Sequence, residues 1–303
     1  MVARQLVILG PTASGKSDVA MAVARARAGR EIVAVDAMQV YRGMDIGTAK
    51  PSVEDQAAVR HHGIDLIAAD SDFTVADFQR AATASLDDIA GRGATALLVA
   101  GTGLYLTSII DGLTLPGEWP QIRAELAQNA DDPADLHARL AALDPAAAAR
   151  IEPGNTRRLV RALEVCLGSG RPFSSFGPGT GAYPPIVTVQ IGLRWPRPLL
   201  AERVERRVHT MVAAGLVDEV GRLLSAPGGM SRTARQALGY KELIACFDGD
   251  CSLEAAIADI VVRTRQFAVR QERWFRRDPR IRWIDITDDP VATVAPVVEE
   301  HLA

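Results

Sequence analysis

The stretch Gly10-Pro11-Thr12-Ala13-Ser14-Gly15-Lys16-Ser17 constrains this chain more than any other. It follows the apolar run Leu6–Leu9 and precedes DVAMAVARA, whose apolar spacing is helical. Strand, glycine-rich turn and helix is the context in which GxxxxGK[ST] makes physical sense. The glycines let backbone N–H groups turn inward, and the helix N-terminus adds its positive dipole end, so the turn can cradle phosphate. Lys16 can neutralise phosphate charge, and the Ser17 hydroxyl is placed for a Mg²⁺ that bridges phosphates. The plainer alternative is a glycine-rich strand–helix turn with an exposed lysine.

The surrounding pattern predicts an α/β fold. EIVAVD is a second buried strand, TVADFQRAATASLDDIAGRG an amphipathic helix with Thr74 as N-cap, and ATALLVAGTGLYL a third strand entering a glycine-rich turn. Such alternation implies a parallel sheet covered on both faces, with ligands at the carboxyl ends of its strands. After about Pro116 the pattern changes: helix-like segments from Gln121 to Leu167 contain no strand, and GSGRPFSSFGPGTGAYPP is a loose connection. IVTVQIGLRW then returns to strand, and the C-terminal part is mostly helical, with long patterns near 199–224 and 252–277. The expected architecture is a P-loop NTPase-like parallel sheet flanked by helices, built from residues 1–115 and 186–303. An all-helical insertion domain occupies 116–185.

A P-loop does not name a reaction. P-loop ATPases normally order Mg²⁺ with an aspartate ending a further strand, yet the third strand here ends VAGTGLY with no carboxylate. The carboxylate is Asp36, at the end of the strand after the P-loop helix, where it should face the phosphate site. It opens a dense polar segment, DAMQVYRGMDIGTAKP. A catalytic base there competes with a helix cap or a salt bridge. The net charge of −3 gives no global attraction to nucleic acid. A local patch does exist: eight arginines between Arg263 and Arg282 are opposed only by Glu272 and Asp278, a balance of +6, with Trp274 and Phe275 interleaved. Arginine with aromatics suits phosphates and stacked bases, although a solvated helix face is the usual fate of a charge run. Cys166, Cys246 and Cys251 form no CxxC pair, which fits a reducing cytoplasm. His61 and His62 lack the carboxylate or cysteine company of a metal site. No run predicts a signal peptide or a bilayer span, so no membrane partner is expected.

Taken in order, GPTASGKS, VDAMQVYRGMDIGTAKP, HHGID, FTVADFQ, GTGLYL, NTRRLVRALEV, GLVDEV, ALGYKEL and RTRQFAVRQERWF resemble the motifs of the bacterial tRNA dimethylallyltransferase family, from Leu6 to about Phe275. The resemblance implies transfer of a dimethylallyl group from dimethylallyl diphosphate to the exocyclic amine of the adenosine 3′ to the anticodon, with Mg²⁺ as cofactor. It implies that Gly10, Pro11, Thr12, Ala13, Ser14, Gly15, Lys16 and Ser17 hold the diphosphate, with Ser17 on the metal, and that Asp36 and Thr102 act at the reacting centre. Asp36, Ala37, Met38 and Gln39 would read a flipped base. Gly103, Arg123, Arg157, Arg158, Arg161, Arg235, Gln236, Gly239, Tyr240, Lys241, Arg270, Gln271, Arg273 and Trp274 would contact an anticodon stem-loop. Tyr240 could equally be a core aromatic. The family usually has serine after the aspartate; Ala37 stands there instead. A monomer in the cytoplasm is expected. Two other readings stay open at this point: a small-molecule P-loop kinase, and a non-catalytic RNA-binding module that kept its P-loop.

Overall fold

The computed structural model describes residues 4–128 and 131–302. The chain forms two compact units: one runs to Ile110 and resumes at Pro185, and the other is Asp111–Pro184. The first unit opens with β1 (Arg4–Leu9), α1 (Lys16–Ala26), β2 (Arg30–Val35), α2 (Val53–Ala58), β3 (His61–His62), α3 (Val75–Gly91), β4 (Thr95–Ala100) and α4 (Gly103–Ile110). The second unit contains α5 (Pro120–Gln128), α6 (Pro133–Leu143), α7 (Pro145–Ala148) and α8 (Thr156–Ser169). The first resumes with β5 (Val189–Arg194), α9 (Arg197–Ala213), α10 (Leu216–Ser225), α11 (Tyr240–Phe247), α12 (Leu253–Phe275), β6 (Ile281–Asp285) and α13 (Pro290–Leu302).

The sheet order is β3-β2-β4-β1-β5-β6, with every pairing parallel. Side chains alternate across it. Leu6 and Ile8 join the cluster of Val19, Val23, Val294 and Val298, while Val7 and Leu9 join that of Phe78, Ile89 and Ile260. Two buried faces are why these strands read as unbroken apolar runs. Each fully buried Leu, Ile or Val contributes about 1.5–3 kcal/mol of transfer free energy. Thr74 caps α3 in a reciprocal box with Asp77.

One expectation needs correction and another is refined. The C-terminal part is mostly helical, as expected, and β6 adds a sixth strand beside β5. It is five residues long with Arg282 and Asp285 exposed, so its apolar signal is short. The pattern near 199–224 is not one helix; Gly215, in the left-handed region at φ 99°, separates α9 from α10. In the second unit Leu126, Leu136, Leu140, Leu159, Leu163 and Cys166 form one buried cluster. Pro133 and Pro145 each open a helix behind a capping aspartate, Asp132 and Asp144.

Candidate functional site

β1 and β2 lie either side of β4 and end on one edge of the sheet, which brings the P-loop, Asp36 and the Gly101–Thr102 turn together. In the P-loop, Ala13 (φ 62°) and Gly15 (φ 89°) are left-handed, which turns successive N–H groups to one side. A Cβ at Gly15 would also sit 2.4 Å from Pro290 Cγ, so glycine is required there twice over. The amides of Ala13, Gly15, Lys16 and Ser17 donate to no acceptor among the described residues. The outer side of the loop is fastened. Arg203 Nε donates to Ala13 O at 2.8 Å, Trp195 Nε1 donates to Ser14 O at 2.9 Å, and the Arg203 guanidinium stacks on the Trp195 ring at 4.4 Å.

This geometry narrows the eight-residue cradle read from the sequence. The Gly10 amide is spent on Ala100 O at 3.3 Å, Pro11 has no N–H, and the Thr12 amide donates to Gln271 Oε1 at 2.8 Å. Ser14 is fully buried. Four backbone amides, the Thr12 and Ser17 hydroxyls and the Lys16 ammonium are what the loop offers an anion.

Asp36, Lys16 and Gln271 converge on Gly101. A Cβ there would lie 3.4 Å from Asp36 Oδ2, 3.5 Å from Gln271 Nε2 and 3.5 Å from Lys16 Cε. Asp36 Oδ1 is fixed by the amides of Met38 (2.8 Å) and Gln39 (3.3 Å), whereas Oδ2 accepts no hydrogen bond among the described residues. One oxygen orients the carboxylate and the other is left without a partner among the described residues. The Thr102 hydroxyl accepts from the Ala37 amide at 3.2 Å, which leaves its own proton to donate elsewhere. Burial pushes the Lys16 ammonium pKa down to about 8, helped by the nearby charge of Arg207 and opposed by Asp36 and Asp18. Arg207, on α9, is a residue the sequence reading missed. Burial lowers its pKa too, the charges of Asp36 and Asp18 oppose that shift, and it forms no ion pair among the described residues. The i,i+4 spacing of Arg203 and Arg207 was visible, but not that this face of α9 meets the P-loop.

Gln271 has a structural task in place of a free RNA contact. Its Oε1 takes the Thr12 amide and its Nε2 donates to Gly101 O at 2.7 Å, so α12 ties the phosphate loop to the Gly101 turn. Trp274, a turn further on, packs against Gly103, where a Cβ would lie 2.1 Å from Trp274 Cδ1, and Arg277 stacks on the outer ring face at 4.1 Å. Replacing Gln271 by Leu leaves the Thr12 N–H and Gly101 C=O unpaired. We expect a loss of about 2 kcal/mol, read as a lower midpoint in urea unfolding.

The polar segment after Asp36 folds against α10 and α11. Glu219, 2% exposed, accepts from the amides of Asp45 (3.0 Å), Ile46 (2.8 Å) and Gly47 (3.1 Å) and from the Tyr240 hydroxyl at 2.5 Å. Tyr240 is fully buried, so its role is to support this loop, and its pKa is raised by burial and by Glu219. Gly239 is the left-handed residue before α11 and donates its amide to Glu242 at 2.8 Å. Lys50 binds Tyr41 O (2.9 Å), Asp45 (2.5 Å) and Asp65 (2.6 Å) and closes the loop. His61 and His62 are held by Val59 O and Glu31, each at 2.7 Å.

Half of the arginine run is paired within the fold. Arg263, Arg265, Arg276 and Arg280 pair with Asp259, Glu205, Glu272 and Asp278. Arg270, Arg273 and Lys241 are exposed without an ion pair among the described residues; Gln236 is exposed and Arg235 half-buried. In the second unit Arg157 and Arg158 are exposed. Arg123 and Arg161 are held by the fully buried Glu164 at 2.8 and 2.9 Å, so these two brace the unit.

Residues 39–278 match the family described as IPP transferase, and residues 3–66 match isopentenyl transferase. A tRNA dimethylallyltransferase of Streptomyces coelicolor is 47% identical over 284 residues, covering 93% of this chain and 90% of that protein. One from Geobacter metallireducens is 47% identical over 286 residues, covering 93% and 92%. The full-length tRNA isopentenylpyrophosphate transferase of Bacillus halodurans superposes with a TM-score of 0.71 at 37% identity, covering 99% of this chain and 95% of that one. A eukaryotic dimethylallyltransferase acting on tRNA shares the fold, with a TM-score of 0.80 at 23% identity over 99% of this chain and 78% of its own. A P-loop at the carboxyl edge of a parallel sheet, an aspartate across from its lysine and relatives matched over almost the whole length agree: the chain belongs to the IPP transferase family.

Proposed function

We propose that the chain transfers a dimethylallyl group from dimethylallyl diphosphate to the N6 amine of the adenosine 3′-adjacent to the anticodon of tRNA, releasing diphosphate. The observation that carries this reading is the convergence of Asp36 Oδ2 and Lys16 at Gly101. It sets a free carboxylate oxygen beside the charge of an anion cradle. The diphosphate occupies the amides of Ala13, Gly15, Lys16 and Ser17, with the Lys16 ammonium and the Arg207 guanidinium opposing the charge that grows as the allylic C–O bond breaks. The N6 lone pair attacks that carbon, and Asp36 Oδ2 takes the proton the amine must lose. Thr102 holds the Ala37 amide and offers its hydroxyl proton at the same centre.

The exposed Ser17 hydroxyl, at the first turn of α1 and without a protein partner among the described residues, fits a Mg²⁺ held chiefly by diphosphate and water. Such an ion supplies additional charge stabilisation to the leaving group. No described helix is long and apolar enough to cross a membrane. The enzyme acts as a monomer in the cytoplasm, where its substrate RNA resides. Arg157, Arg158, Arg235, Gln236, Lys241, Arg270 and Arg273 take phosphates of the anticodon stem-loop, and Asp36–Gln39 meet the flipped base.

Mass analysis of an anticodon stem-loop after incubation with dimethylallyl diphosphate and Mg²⁺ tests the reaction; an unchanged RNA mass overturns it. Phosphate contacts also predict that RNA affinity falls about 10²-fold or more between 50 and 200 mM salt. Equilibrium binding across that range checks the claim, and a flat response removes the arginines from the interface.

A further inference from the structure

The loop held by Glu219 has a consequence for base selection, through Gln39. Gln39 Nε2 donates to two backbone carbonyls, Thr48 O at 3.0 Å and Ala49 O at 3.2 Å. Both partners are acceptors, so the amide can sit only one way round, with its two N–H groups toward the loop. The carbonyl oxygen Oε1 accepts no hydrogen bond among the described residues. Gln39 is otherwise fixed by its own amide on Asp36 Oδ1, three residues back, which ties it to the carboxylate that faces the reaction.

The two carbonyls are themselves held. Asp45, Ile46 and Gly47 give their amides to the buried Glu219 carboxylate. The next carbonyls along the chain, at Thr48 and Ala49, are the ones that take Gln39. Gly47 packs on Tyr240 so closely that a Cβ would lie 2.5 Å from its ring, and Thr48 Oγ1 donates to Met44 O at 2.6 Å. Lys50 ends the segment with its amide on Asp45 O at 2.9 Å. This backbone therefore has little freedom to rotate its carbonyls away from the Gln39 amide.

We propose that Glu219, remote from the reacting atoms, is a positioning residue that holds the Thr48 and Ala49 carbonyls in place, and that these lock Gln39 as a hydrogen-bond acceptor only, so that Gln39 selects a base by its amino group. A free glutamine presents a donor and an acceptor and could turn to suit either a purine amine or a purine carbonyl. Locked, Oε1 accepts from the second N–H of an adenine amine, the first facing Asp36. It opposes the O6 carbonyl of hypoxanthine or guanine, since two acceptors face each other with nothing between them. The inference rests on Asp36–Gln39 meeting the base, as proposed above.

The test measures equilibrium binding of two anticodon stem-loops, without the diphosphate donor, carrying adenosine or inosine at the target position. Wild-type protein should prefer adenosine, and Gln39→Met should shrink that preference by about 5- to 30-fold, the value of one lost hydrogen-bond discrimination. Asp36 is present in both proteins, so its own preference cancels in the comparison. Gln39→Ala serves as the second variant. Glu219→Gln should reduce the preference in the same direction and to a smaller extent, with the KM for dimethylallyl diphosphate unchanged, a split that general unfolding would not give. An adenosine-to-inosine ratio in both Gln39 variants equal to that of the wild type overturns the proposal. If wild-type protein prenylates the adenosine stem-loop while that ratio stays constant, only this inference falls; if it does not prenylate it, the function falls first.

Discussion

Asp36→Ala should lower the rate of dimethylallyl transfer about 10³-fold, within the span usual for a general base. The affinity for the anticodon stem-loop should fall only by the value of the lost base contact, about tenfold or less, because the phosphate contacts lie on other residues. The physical reason is the division of labour in the carboxylate. Oδ1 is spent on the Met38 and Gln39 amides, and Oδ2 is the one oxygen free to take a proton from the amine. The exocyclic lone pair of adenine is delocalised into the ring, so attack without proton removal leaves a cationic nitrogen. Asp36→Asn separates chemistry from loop structure. Its amide oxygen can keep the Met38 and Gln39 contacts, yet it cannot act as a base, so it should lose the same activity with less change in thermal midpoint. Single-turnover transfer to a stem-loop, beside equilibrium RNA binding, checks both variants. Turnover near the wild-type rate in Asp36→Asn would remove Asp36 from the role of base.

Lys16→Ala should lower kcat/KM for dimethylallyl diphosphate by about 10²–10³-fold, as expected for loss of one charge-stabilising donor at a leaving group. RNA binding should be unaffected. The depressed pKa adds a second signature. With its pKa near 8, Lys16 is charged below that pH and loses its charge as the pH rises through it. A bound diphosphate favours the charged form. Donor affinity should therefore be constant below about pH 7 and weaken above pH 8, by up to tenfold per unit, with net proton uptake on binding at the higher pH. Calorimetry in two buffers of different ionisation enthalpy measures that uptake. The Lys16→Ala protein should show neither the uptake nor the slope near pH 8. A donor affinity independent of pH from 7 to 10 in the wild type would show that Lys16 does not sit against the diphosphate.

These two residues were readable before any coordinates because local rules place them. GxxxxGKS between an apolar run and a helical pattern can form few other structures. A carboxylate closing a buried parallel strand must emerge at the same sheet edge as the P-loop. The helical character of 121–167 and the Thr74 cap were readable for the same reason, as both depend on neighbours in sequence. β6 and β3 were not, because one is five residues long and the other two, and edge strands carry little apolar signal. Several residues that the family resemblance assigns to RNA contact make hydrogen bonds within the fold, which no local rule foretells. Gln271, Tyr240, Arg123 and Arg161 spend their polar groups on Thr12 and Gly101, on Glu219 and on Glu164.

By itself, the sequence determined the phosphate loop, the aspartate facing it and an α/β sheet interrupted by helices, all consequences of periodicity, glycine placement and strand polarity. Tertiary structure alone decided which polar groups remain available once the chain has folded. Glu219 lies 174 positions from Asp45, Gln271 lies 259 from Thr12, and Arg207 reaches Lys16 from another helix. A hydrogen bond is satisfied by whatever group the fold brings within about 3 Å, irrespective of distance along the chain. That is why a motif can name a loop, while only the packed molecule shows which of its atoms are left for the substrate.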